Sequence, residues 1–150
     1  MMGIKNYCCG AVALLCAAVI PAQAADQGNA DAAPTSVVLL KTTTTGDGQP
    51  LVYPGGTAQI TSRVTTFPPG AKTGLHRHPM PLYAYILEGR LTIHVEGQPP
   101  RHFKAGDAFM ETAGWHYGVN PGDTPTRLLA VYAGAVDLPL SESKPKGEGK

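Results

Sequence analysis

The chain has 150 residues, of which 15% are charged, and a formal net charge of +1. That length suits one domain with its own core. The near-neutral balance, without a basic block or an acidic tail, excludes electrostatic capture of nucleic acid and favours a small-molecule partner.

The first residues read as a targeting segment. Lys5 supplies a positive start, residues 8–20 form an apolar run too short for a comfortable membrane span, and Ala22-Gln23-Ala24 is an A-x-A cleavage site after Pro21. The expectation is a Sec signal peptide over 1–24, export to the periplasm or beyond, and no membrane attachment after cleavage. All three cysteines, Cys8, Cys9 and Cys16, lie in this segment. A mature chain from Ala25 has no disulfide, no nucleophilic thiol and no thiolate ligand, and loss of Lys5 brings its net charge to zero.

Residues 25–35 are small and polar and read as a flexible leader. Strands are expected over 37–41 and 59–67, around the histidines at 76 and 78, and over 82–87, 90–95, 101–104, 108–111, 115–119 and 127–132. Turns at Gly46-Asp47-Gly48, Pro54-Gly55-Gly56, Pro68-Pro69-Gly70, Glu88-Gly89, Glu96-Gly97 and Ala105-Gly106-Asp107 separate them. Leu91, Ile93 and Val95 share one face of their strand, and Thr92 and His94 the other. No segment carries the period of a long amphipathic helix. The hydrophilic stretch 138–150 is expected to be a disordered tail, which leaves a single all-β domain over 36–137, a sandwich or barrel.

The chemistry concentrates between Gly70 and Gly89. His76 and His78 are two apart, and on a strand such residues face the same side. Neutral imidazole is a good ligand for zinc, iron, copper or nickel. The bland alternative is a pair of loop histidines facing water. No GxSxG elbow, phosphate loop, HExxH or CxxC is present.

These residues resemble the cupins, small β-barrels of jelly-roll type, also described as a double-stranded β-helix. Gly70, His76, His78 and Gly89 fall at the positions of the family's first motif, with Leu82 where a glutamate is usual. The second motif is matched by Gly106, Asp107, His116 and Asn120. Thr112 stands where the family has a proline, and the gap from Gly114 to His116 is one residue short. The resemblance spans residues 37–134.

The resemblance implies that His76, His78 and His116 converge inside the barrel on one divalent metal. Iron(II) is the first expectation, with manganese, nickel or zinc as alternatives. Leu82 cannot coordinate, so the site is similar to those of three-histidine cupins, such as thiol dioxygenases. This suggests a dioxygenase acting on a small molecule. A non-catalytic binding protein and a metal-dependent isomerase or lyase are the rivals, and a metal-free barrel is the alternative to all three.

Glu111 could replace the missing ligand, fix a histidine tautomer, or sit solvated at a strand end; the last two are favoured. Glu111 and Tyr83 are the candidate acid/base groups. Tyr85, Trp115 and Met80 are pocket or core residues, and His94 and His102 are expected outside the metal shell. A homodimer is a family expectation.

Overall fold

The structure, a computed structural model, describes residues 33–145 and 147. The signal-peptide reading and most of the leader lie outside the described residues. Among the described residues nine strands follow one another: β1 (Ala58–Phe67), β2 (His76–Arg77), β3 (Leu82–Glu88), β4 (Arg90–Val95), β5 (Arg101–Lys104), β6 (Ala108–Met110), β7 (His116–Val119), β8 (Thr126–Ala135) and β9 (Glu142–Ser143). They form two antiparallel sheets, ordered β1-β8-β3-β6 and β5-β4-β7-β2-β9. Among the described residues no helix is long and apolar enough to cross a membrane.

Strand alternation builds the core. On β3 the residues Leu82, Ala84 and Ile86 are buried, while Tyr83 and Tyr85 between them are half-exposed. On β8 Thr126, Leu128, Ala130 and Tyr132 are buried in alternation, and Ala135 at its end is buried as well. Leu91, Ile93 and Val95 of β4 meet them from the other sheet, on the face the sequence assigned to them. Phe103 and Phe109 stack at 3.7 Å between ring centroids and close one end. Face-to-face packing of two alternating strand sets produces this interior.

The turn between β3 and β4 explains the motif glycine. Gly89 has φ of 78°, and a Cβ there would meet Thr126 Cα at 2.8 Å and Pro125 O at 2.7 Å. Only glycine serves this left-handed, crowded position. Thr126 ties the same turn down, accepting from Arg90 N at 3.0 Å and donating to Arg90 O at 2.6 Å.

Two expectations are corrected. The stretch 37–41 forms no strand: Val37 is 82% exposed, and no ladder partner meets it among the described residues. A short apolar run becomes a strand only where a second strand takes its backbone bonds, and none lies beside it here. The stretch from 138 is not a disordered tail as far as it is described. Leu138 and Leu140 pack against the core, and Glu142–Ser143 pairs with β2. Arg77–Glu142 at 2.7 Å and Lys144–Glu96 at 2.8 Å fasten it from both sides. Its hydrophilic composition hid two apolar anchors and a main-chain pairing.

Asn120, fully buried, closes the loop after β7. Its Nδ2 reaches the carbonyls of Phe67, Pro68 and Thr124 at 3.0, 3.1 and 2.8 Å, and its Oδ1 accepts from Gly122 N at 2.9 Å. Asn120→Ala leaves these buried groups without partners, so unfolding in urea is expected to show a loss of about 2–4 kcal/mol. An unchanged midpoint would contradict this account.

Candidate metal centre

The fold brings the three histidines together from three places. His76 is on β2, His78 follows it, and His116 opens β7, paired directly with His76. Ring centroids are 4.5 Å apart for His76–His116, 5.0 Å for His76–His78 and 5.2 Å for His78–His116. Their ligand atoms all lie within 4.8 Å of one another.

Backbone carbonyls orient each ring. His76 Nδ1 donates to Gly74 O at 2.8 Å, His78 Nδ1 to Leu140 O at 2.7 Å and His116 Nδ1 to Gly114 O at 2.9 Å. A carbonyl only accepts, so each Nδ1 carries the hydrogen and each Nε2 keeps its lone pair. Thr112 Oγ1, 2.9 Å from His116 Nδ1, adds a further restraint. His116 Nε2 is buried and has no hydrogen-bond partner. Such an orphan is costly unless something fills the place it faces. Three neutral imidazoles with converging lone pairs and one buried, unpartnered nitrogen fit a divalent metal ion.

Burial sets the protonation states. It pushes all three imidazoles down, His78 to about 4, while their bonds to carbonyls act in the opposite sense. Burial pushes Glu111 up to about 7. Glu111 Oε2 lies 3.6 Å from His116 Nε2. That is too long for a hydrogen bond, and with both groups driven toward neutrality the contact is not an ion pair. Glu111 is therefore not a solvated carboxylate. It is 7% exposed and lines the site.

Tyr83 is a second correction. It alternates with Leu82 and Ala84, which point into the core, so it faces the outer side of the sheet beside Leu40, Tyr53 and Val131. It cannot reach the histidines. Tyr85 shares that outer side. Trp115 carries the Arg77 guanidinium over its ring at 4.8 Å, and Met80 fills the core. His94 stacks on Tyr117 and His102 meets Thr92, both away from the centre.

Three contributors escaped the sequence reading. Arg63 of β1 and Tyr132 of β8 line the same cavity as the histidines. The signal for Arg63 was a charge on the strand parity of buried Phe67. Asp47, read as a turn residue, accepts from Ala113 N and Gly114 N, both at 3.0 Å. It clips the loop that supplies Gly114 O to His116. These bonds lower the Asp47 pKa although partial burial raises it.

The cavity is about 80 Å³ and is walled by Leu82, Leu91, Ile93 and Leu128. A wider cleft of about 330 Å³, bordered by Thr45, Val52, Met80 and Ala113, reaches the same centre at His78 and Glu111.

Known proteins share this fold. A family model described as a cupin domain matches residues 63–132, a stretch that includes all three histidines. The chain belongs to the cupin superfamily. Dimethylsulfoniopropionate lyase DddQ from Ruegeria pomeroyi is 26% identical over 103 residues, 69% of this cupin and 49% of the lyase. This cupin thus spans about half the length of that curated relative. The crystal structure of DddQ from Ruegeria pomeroyi DSS-3 superposes with a TM-score of 0.51 at 26% identity, over 69% of this cupin and 51% of the lyase. An oxalate decarboxylase from Lactobacillus farciminis, in a formate complex, matches at 25% identity and TM-score 0.49, over 57% and 26%.

One prediction concerns the tautomer restraint on His78 and another its burial. A chain ended at Asp137 loses Leu140 O, so its divalent-metal affinity, read by competition with a chelating dye, should fall about 10- to 100-fold. Unaltered affinity in the folded truncation would sink the role given to Leu140. In the metal-free protein, His78 should titrate near pH 4 by imidazole NMR rather than at its ordinary 6.5. Between those values the unfolded chain binds the extra proton and the native chain does not. The His78-dependent part of stability, taken against His78→Asn, should thus decline by roughly 3 kcal/mol as pH falls through that window. A midpoint above 6 would disprove the burial argument.

Proposed function

We propose that this cupin is a metal-dependent enzyme that acts on a small carboxylate-bearing molecule and cleaves or rearranges it without dioxygen. One observation carries the reading: a permanent cation and three neutral imidazoles face the same small cavity. Arg63 is the only lysine or arginine among the cavity's lining residues. A divalent ion held by His76, His78 and His116 would supply Lewis-acid polarisation of a bound oxygen. The guanidinium suits a carboxylate, which it can pair through two parallel hydrogen bonds.

Size narrows the substrate. Sites for drug-sized ligands run to roughly 300–1,000 Å³, several times this cavity. The small cavity at the centre suits the reacting end of a short acid, and any larger part of a ligand would lie in the adjoining cleft. The leucine and isoleucine walls exclude water from the reacting group and strengthen the charge interactions inside. Tyr132, beside the Arg63 guanidinium at 5.3 Å, is kept protonated by burial, against the effect of Arg63. Its hydroxyl is a hydrogen-bond donor toward the substrate rather than a base.

The lyase relative acts on a propionate, in keeping with the small-acid reading. It moves the lyase or isomerase alternative ahead of the dioxygenase that the three histidines first suggested. The export reading of residues 1–24 remains part of the proposal and would put the reaction in the periplasm or outside the cell.

The test is anaerobic turnover. Protein loaded separately with iron(II), manganese, nickel and zinc is incubated with dimethylsulfoniopropionate and a panel of short carboxylates, and products are read by NMR. Oxygen-independent product is expected, lost in His116→Ala, with Arg63→Ala raising KM about 10- to 100-fold through the missing charge-assisted bonds. Product only in the presence of oxygen would restore the dioxygenase. Tight binding of unchanged ligand would indicate a carrier.

A further inference from the structure

We propose that Glu111 is the carboxylate ligand of the metal centre, delivered from the strand next to the one where the first cupin motif carries it. The inference rests on the reading that His76, His78 and His116 bind a metal.

The argument is one of register. The motif position on β3 is Leu82, 3% exposed and unable to coordinate. Strand β6 runs antiparallel to β3, with Met110 opposite Tyr83 and Phe109 opposite Ala84. One step further along, Glu111 stands opposite Leu82, and Glu111 N donates to Leu82 O at 2.9 Å. Residues directly opposite in an antiparallel pair project to the same side, with Cβ atoms about 4.5–5.5 Å apart. A glutamate at 111 can therefore reach the space that a glutamate at 82 would occupy. Both residues line the cavity that holds the three histidines.

The carboxylate has no better partner. Its hydrogen bond from Thr112 N is long, at 3.4 Å, and His116 Nε2 lies 3.6 Å from it, too far for a hydrogen bond. That nitrogen has no hydrogen-bond partner of its own. The 3.6 Å gap is close to the separation of two ligands on one ion, about 3.4 Å for tetrahedral geometry at bond lengths near 2.1 Å. The four ligands would be three neutral nitrogens and one anionic oxygen, and a substrate oxygen would enter by expanding the coordination beyond four. The carboxylate would also lower the charge of the centre by one, shifting the attraction for a substrate anion toward Arg63.

A ligand swap tests this. Cobalt(II) affinity and the visible absorption bands of the cobalt protein are compared for wild type, His116→Ala, Glu111→Gln, Glu111→Leu and the double variant Glu111→Leu/Leu82→Glu. Wild type is expected to hold one cobalt per chain. Glu111→Gln, nearly isosteric, should bind at least tenfold more weakly, with altered band intensities. The double variant should recover affinity to within about threefold, because its carboxylate enters from β3. If Glu111→Gln keeps both affinity and spectrum while His116→Ala loses the metal, the carboxylate is not a ligand and the three-histidine reading stands alone. If wild type binds no cobalt, iron, manganese, nickel or zinc, both readings fall together.

Discussion

Three hydrogen bonds from imidazole to backbone carbonyl govern this molecule. Each takes the Nδ1 hydrogen of one histidine and aims the other nitrogen inward. The acceptors come from separate places: Gly74 before β2, Gly114 before β7, and Leu140 before β9. Each place is held by its own device. The 111–114 loop is clipped by Asp47 and by Gly46 N donating to Glu111 O at 3.0 Å. The 138–144 segment is held by its pairing with β2 and two surface ion pairs. Exposed ion pairs contribute little stability, so the apolar anchors Leu138 and Leu140 do most of that fastening. The geometry of the centre thus depends on the backbone of these loops as much as on the ligand side chains.

Electrostatics and burial act together in the cavity. Removing water drives the histidines toward the neutral form in which imidazole ligates, so no proton competes for Nε2 near neutral pH. The same burial raises the cost of an ionised Glu111 until a cation stands beside it. In the metal-free protein burial drives the carboxyl and the imidazoles toward their neutral forms, against a smaller mutual attraction between Glu111 and His76. A divalent ion would reverse this, because it satisfies the lone pairs and makes the carboxylate favourable at once. Arg63, at the exposed inner edge of β1, can stay solvated until a substrate arrives. Its place leaves the positive charge at the cavity mouth rather than in the core.

Much of the fold was legible in the sequence because its signals are local. Glycine and proline turns marked the strand ends, and RLTIHV gave its buried face by alternation alone. The histidine pair at 76 and 78 was legible because a two-residue spacing has one meaning on a strand. Other features were not local. Tyr83 was in easy sequence reach of the motif, yet its parity with respect to Leu82 sends it to the opposite face. The 37–41 run looks like a strand by composition, but pairing requires a neighbour that composition does not reveal. The end of the chain misled in the other direction: Lys, Glu, Ser and Pro concealed a segment that packs two leucines on the core and sets one carbonyl against His78. Arg63 was overlooked because a charge on a partly alternating strand reads as a solvent-facing residue until the barrel's opening is located.

Leu82 shows why a motif written along one strand is an incomplete description of a sheet. Ligand sets are usually read as spacings within a segment, since side chains two apart share a face. In an antiparallel sheet the residue directly across the ladder is as near as the residue two along, about 5 Å against roughly 7 Å. A cavity wall is therefore a lattice, and a functional group can change strands without leaving its place in space. Leucine at 82 then has a purpose of its own: it fills the volume vacated on β3 and keeps that side of the centre apolar. An apolar neighbour raises the cost of leaving the carboxyl of Glu111 charged and unpaired, which makes the site depend more strongly on a cation. Departure from the motif at one position and an acidic residue at its cross-strand partner are in this sense one feature of the structure.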